Sequence, residues 1–126
     1  MDAPLDADAG TVPKGALVMA DTSGYAVNGA DTASCKFLGV AEETVVVASG
    51  GSDGDYDIHL ATEGVFKFAF ASAAITNVGD PVCIADNNTV AAAGTTSNDV
   101  YCGTVYQFID DSTVWVKISR HGGTWT

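Results

Sequence analysis

"VGDPVCIADNNTVAA", Val78 to Ala92, gathers a cysteine, two aspartates and an asparagine pair into one short stretch. Such a cluster reads either as the start of an active site or as a strand, a turn and a second strand. Gly79, Asp80 and Pro81 lead into an apolar run, Asp86, Asn87 and Asn88 are turn formers, and Thr89 begins a return run. Cys83 is then a strand residue, corresponding roughly to Val18 in an earlier stretch, and not a nucleophile. That earlier stretch, "VPKGALVMADTSGYAV", Val12 to Val27, has the same plan of strand, polar turn and strand.

Working outward, the match continues. "CKFLGVA" is answered by "YCGTVYQF" and "YDIHLA" by "VWVKIS". Setting Asp21 on Asp86 displaces the copies by 65 residues, and Gly39 on Gly103 by 64. Ile58 and Leu60 fall on Val116 and Ile118 at 58, a smaller shift that follows from the shortening of "ASGGSDGDYD" to "IDDST". Within the segments, apolar and polar residues alternate with period 2: Ile58 and Leu60 oppose Asp57 and His59, and Val114, Val116 and Ile118 oppose Trp115 and Lys117. The Phe-rich strand "VFKFAF" turns Phe66, Phe68 and Phe70 to a core face and joins the two halves. The one helical candidate, "ASAAIT" at Ala71 to Thr76, is too short to stand without tertiary support. The prediction is an all-β fold, a small antiparallel β-barrel or sandwich over residues 13–120, built from two similar strand-turn-strand halves.

The ends lack sustained alternation. Residues 1–12 read as an extended N-terminal arm and residues 121–126 as a C-terminal tail holding Trp125. An arm with Pro4, Leu5 and Val12 either frays in solution or lies on a partner's surface, where proline lowers the cost of ordering an extended segment.

Charge narrows the partners. Five basic residues against 16 acidic ones give a formal net charge of -11, which repels nucleic-acid phosphate and anionic lipid. Hydrophobic content of 47% with 17% charged residues argues for a packed domain and against an acidic disordered segment. The start, "MDAPLDADAG", carries neither the basic nor the apolar region of a secretory signal, so the expectation is a chain made in a cytoplasm. Cys35, Cys83 and Cys102 are odd in number and sit in apolar runs, which points to buried thiols.

The residue types that carry chemistry do not converge. Asp53, Asp55 and Asp57 have the opening spacing of an EF-hand calcium loop, but the glycine that loop needs at its sixth position is Ile58 and the glutamate at its twelfth is Gly64. His59 and His121 lie far from any Cys-x-x-Cys pair that would complete a zinc site. His59 also faces the polar side of its strand, whereas a general base needs a sheltered partner. "GGSDG" and "GDP" lack the lysine and following helix of a phosphate loop. The expectation is therefore a protein without enzymatic activity, cofactor or metal. Trp115 points away from the inferred core, to be covered by a neighbouring arm or subunit or to form a contact surface, since aromatic residues are enriched in interfaces.

The order of these segments also resembles a known family. "VPKGALVMADTSGYAV", "FLGVAEETV", a strand ending "EGVFKF", "ITNVGDPVCIADNNTVAA" and "YCGTVYQFIDDSTVWVKIS" follow one another as the G-x-x-V, xGVA, GVF, GDxVY-like, GxA and VxVxL strands do in phage capsid decoration, or cement, proteins. The resemblance covers about Val12 to Ser119, with departures at Pro81, Cys83 and Thr104. It implies a β-tulip-like module, commonly a homotrimer, on the exterior of a virion capsid over junctions of the major capsid protein. On that expectation Asp2, Pro4, Leu5 and Val12 of the arm contact the shell, and Trp115, Trp125 and Tyr106 form the subunit interface. The alternative from the residues themselves is a β-barrel module for glycans or a host surface, using the same three aromatic residues.

Overall fold

The computed structural model describes residues 1–119 and is built from twelve strands. In chain order they are β1 (Asp2–Pro4), β2 (Thr11–Val12), β3 (Leu17–Ala20), β4 (Ala26–Asn28), β5 (Lys36–Ala41), β6 (Val45–Val46), β7 (Asp57–Ala61), β8 (Val65–Phe70), β9 (Pro81–Asp86), β10 (Thr89–Ala92), β11 (Tyr101–Asp110) and β12 (Thr113–Ile118). The helical candidate Ala71 to Thr76 is not a helix. Ser72 sits at φ 57°, which breaks any right-handed run, and a single 3-10 turn follows at Ile75–Asn77.

Strand order carries the internal repeat further than the sequence does. The first sheet runs β1-β7-β5-β3-β4, and the second closes as a barrel in the order β8-β12-β11-β9-β10, with β10 returning to β8. The two orders correspond strand for strand. Leu17 pairs with Val40, Val18 with Gly39 and Met19 with Phe37; in the second unit Pro81 pairs with Thr104, Val82 with Gly103 and Cys83 with Tyr101, with the register slipping at the same step. Even the entry turns agree: Gly15 donates to the Ala41 carbonyl at 2.8 Å, and Gly79 donates to that of Val105 at 2.9 Å. Both glycines have positive φ, 88° and 94°, a backbone state that favours glycine.

These registers correct three details of the sequence alignment. Cys83 corresponds to Met19, not Val18, and Asp21 to Ala85, not Asp86. Ile58 and Leu60 correspond to Val114 and Val116, because Ala41 pairs with Leu60 as Val105 pairs with Val116. The first two errors are of one residue, a slip that exchanges faces, and the third is of two residues, which leaves Ile58 and Leu60 on their expected face.

The N-terminal segment is extended as expected, but it is not an arm. Asp2, Ala3 and Pro4 pair with His59, Ile58 and Asp57 of β7, as Lys67, Phe68 and Ala69 pair with Trp115, Val114 and Thr113 of β12. β1 is therefore the first strand of the first unit, and the Phe-rich β8 is the first strand of the second, not a joint between halves. Thr11 and Val12 pair with Val46 and Val45, so residues 1–12 belong to the folded body.

One pair in each unit departs from the antiparallel expectation. Thr89 and Val90 run parallel to Ala69 and Phe70, closing the barrel. Leu5 makes the equivalent parallel bridge to Ala26 in the first unit. Parity requires this: around a ring of five strands the directions cannot alternate throughout.

The inward positions show how the units differ. Ala3, Leu5, Val18, Ala26, Ala41, Ile58 and Leu60 are buried in the first, where the second places Phe68, Phe70, Val82, Val90, Val105, Val114 and Val116. The smaller residues of the first core are supplemented by Val12, Ala16 and Val47, carried by β2 and by segments beside β3 and β6. Leu17, Met19, Phe37 and Val40, on the other face of β3 and β5, join the second unit's buried cluster. Polar ties cross the same boundary: Leu17 donates to the Asn87 carbonyl at 2.7 Å, and the Asp31 carboxylate accepts from the N–H groups of Ser97 and Asn98 at 2.8 and 2.9 Å. Burial of a shared apolar cluster makes one folded body of the two units.

Candidate functional site

The residues singled out for chemistry are dispersed by the fold. Asp53 accepts from the Ala7 N–H at 2.8 Å and Asp55 from the Ser52 N–H at 2.8 Å, while Asp57 lies on β7 opposite Pro4. Each of the first two carboxylates thus pins a loop. Among the described residues no three of His, Cys, Asp and Glu are grouped to hold a metal ion. The cysteines are free thiols, with Cys83 and Cys102 buried. Burial, then the negative charge of Asp99, pushes the Cys83 thiol up to about 12. Burial raises the Cys102 thiol as well. Neither is a thiolate near neutral pH, and each serves as apolar filling.

The shell contacts expected of the N-terminal segment divide. Leu5 is 1% exposed and Val12 is fully buried, so both are core residues that cannot meet a partner without undoing the fold. Leu5 is further fixed by its N–H, which donates to the Tyr56 carbonyl at 2.8 Å. Asp2 and Pro4 remain exposed on β1. Of the expected interface residues, Tyr106 and Trp115 are exposed, at 57% and 36%, and Trp125 lies outside the described residues.

What the fold assembles is a pair of outer faces at corresponding positions. On the second unit, β8 and β12 turn Val65, Lys67, Trp115 and Lys117 outward, with Trp115 opposite Lys67 and Lys117 opposite Val65. Directly opposed residues share a face, so aromatic, apolar and basic groups are adjacent. Gln107 of β11 stands opposite Trp115 on the other side, next to the exposed Tyr106. Neither lysine is in an ion pair among the described residues.

On the first unit the corresponding positions hold other chemistry. Asp2 stands where Lys67 stands, His59 where Trp115 does, and Glu42 and Glu43 where Tyr106 and Gln107 do. The His59 ring meets Asp2 through Nδ1 at 2.8 Å and Glu42 through Nε2 at 3.3 Å. The His59 backbone N–H donates to Glu43 Oε2 at 3.0 Å. All three side chains of the ring cluster are about half exposed or more, a setting in which ion pairs stabilise weakly. Alternation placed His59 and Trp115 on outer faces, but the convergence of Asp2 and Glu42 on His59 joins residues too far apart in the chain for any local pattern to reveal.

The surface depressions are open. One of about 320 Å³ is lined by residues including Lys14, Glu42, Ala61 and Phe66, and an apolar one of about 330 Å³ by Phe70, Ala85, Val90 and their neighbours. No known protein family, curated protein or solved structure matches the chain.

Proposed function

We propose that this protein is a structural component of a bacteriophage virion that binds the outer surface of the capsid and stabilises the expanded head. The observation that carries the reading is the order of strand and turn motifs across Val12 to Ser119, which resembles that of capsid decoration proteins. The exposed Trp115 and Tyr106, in an otherwise acidic chain, support a role in protein contacts. In this reading the partner is the major capsid protein and the working form is a homotrimer. A ligand that binds the expanded shell more tightly than its precursor stabilises it by mass action, and several modest contacts in one oligomer add up to high avidity. No catalytic group is needed. With Leu5 and Val12 in the core, Asp2 and Pro4 are the two of the four expected contact residues left for the shell.

The test mixes purified protein with expanded and precursor shells of the phage that encodes it. The expected result is co-sedimentation that saturates at a fixed copy number per expanded shell, together with a higher shell melting temperature. The second reading, a glycan or host-surface module, rests on the exposed aromatic pair and expects saturable binding to sugars instead. Failure to co-sediment with expanded shells at micromolar concentration refutes the cement reading.

A further inference from the structure

Asn28 and Gly29 form the chain's one Asn-Gly pair, and we propose that Asn28 is a modification site: a covalent timer where the two units meet, held off while the fold is closed and run irreversibly once it opens. The reaction is deamidation. The glycine nitrogen, deprotonated by solvent base, attacks the asparagine Cγ, and glycine has no Cβ to hinder the approach. The N–Cγ bond forms, the Cγ–Nδ2 bond breaks, ammonia departs and a succinimide ring remains. Water then opens the ring. Opening at Cγ gives aspartate, and opening at the main-chain carbonyl carbon gives isoaspartate, in which the backbone runs through the side chain. One water enters and one ammonia leaves, with no change of oxidation state.

Three observations on the folded chain carry this. First, both reacting groups are engaged. Gly29 N–H donates to the Leu17 carbonyl at 2.7 Å. Asn28 Nδ2 donates to the Thr11 carbonyl at 2.9 Å and to that of Ala9 at 3.4 Å, while Asn28 Oδ1 accepts from Asn87 Nδ2 at 3.1 Å. Neither group can turn on the other until those bonds open, so the rate follows the population of the opened state. Second, packing fixes the glycine and the amide has a separate use. A Cβ at position 29 would stand 2.9 Å from the Leu17 carbonyl oxygen and 3.0 Å from Ile84 Cγ2, so a larger residue forces a shift there. The repeat itself does not require the amide: Ala92 and Ala93 hold the corresponding positions in the second unit, where Ala93 N–H donates to the Pro81 carbonyl at 3.3 Å. Asn28 adds a tie among three segments, namely β4, the stretch leading into β2 and the asparagine turn of the second unit. Third, the product cannot restore that tie. A carboxylate only accepts, so it would face the Thr11 and Ala9 carbonyls with no proton to share, in a chain whose net charge is already -11. Isoaspartate also lengthens β4 at the residue that pairs with Val18. A chain that reacts while open therefore closes less well afterwards.

The experiment ages the full chain in mildly alkaline buffer, both folded and in urea above its unfolding midpoint, and follows each asparagine by peptide mass spectrometry. Trypsin releases residues 15–36, among which Asn28 is the one asparagine, and chromatography separates the aspartate and isoaspartate forms. In urea, Asn28 is expected to react faster than Asn77, Asn87, Asn88 and Asn98, each of which precedes a residue with a Cβ. Folding is expected to slow Asn28 by about tenfold or more. Returned to buffer, the aged chain is expected to refold with a lower urea midpoint than a fresh one, whereas Asn28→Ala, which cannot cyclise, refolds as it did before ageing. Asn28→Asp, made directly, is expected to fold with an equilibrium constant about tenfold below that of the wild type, and below that of Asn28→Ala. A folded chain that deamidates at Asn28 as fast as the unfolded one overturns the proposal. So does an aged chain that is converted at Asn28 and refolds with the midpoint of a fresh one, a reading that holds even where Asn28→Asp does not fold. None of these measurements involves a shell, so their outcome is independent of the co-sedimentation assay.

Discussion

Leu5→Ala separates a free N-terminal arm from a first strand. Leu5 is 1% exposed among Ala3, Val18, Ala26, Ile58 and Leu60. Truncation removes three carbons, worth about 2.4 kcal/mol at about 0.8 kcal/mol per buried methylene. The space left behind raises the cost to roughly 3–4 kcal/mol, because strands held by backbone bonds relax little. Those bonds include Leu5 N–H to the Tyr56 carbonyl at 2.8 Å, Gly54 N–H to the Leu5 carbonyl at 2.9 Å and Asp6 N–H to the Ala26 carbonyl at 3.0 Å. For a chain of this size each kcal/mol lowers Tm by about 3–6 °C, so a fall of about 10–20 °C is expected. Urea and thermal denaturation followed by circular dichroism read both quantities. Asp8→Ala, at an exposed neighbour, serves as the control and is expected to stay within about 0.5 kcal/mol. If Leu5→Ala matches the control, Leu5 is not core and the strand assignment of residues 1–5 is wrong.

Two further outcomes follow from the repeat and from a carboxyl pair. A Cβ at Gly39 would overlap the Ala61 carbonyl, and one at Gly103 the Lys117 carbonyl, so Gly39→Ala and Gly103→Ala are each expected to cost about 1–3 kcal/mol in urea denaturation; a neutral result at either position would contradict the close strand approach. Asp6 and Asp21 share a side-chain hydrogen bond, which raises the Asp6 carboxyl above its ordinary range and lowers that of Asp21. The Asp6 contribution is present below the unfolded value of about 3.9 and is lost as pH rises through its raised folded value; the Asp21 contribution is present above about 3.9 and lost as pH falls through its lowered one. Asp6→Asn, which supplies a permanent donor, is expected to raise the urea midpoint at pH 7 by an amount worth less than about 1 kcal/mol in this exposed setting, and to give no gain at pH 3. A lower midpoint at pH 7 would count against the shared bond.

The outward set of Trp115 and Lys117 was legible in "TVWVKIS", and so was the inward set of Phe68 and Phe70 in "VFKFAF", because period 2 is a property of the strand itself. The face around His59 was not. Asp2 and His59 are separated by 57 residues, and only the β1–β7 pairing joins them.

The opening stretch marks the division between sequence and tertiary structure. By itself, "VGDPVCIADNNTVAA" determines two strands around an asparagine turn, and its likeness to "VPKGALVMADTSGYAV" determines that the chain folds one plan twice. Turn residues and alternation act over a few neighbours, so they can be read from neighbours alone. Tertiary structure decided where each copy begins, since "DAPL" is too short and too interrupted by proline to show alternation and becomes a strand only against β7. It also decided the register of β7 and β12, because a slip of two residues leaves every side chain on its own face and only the hydrogen-bonded partner distinguishes the alternatives.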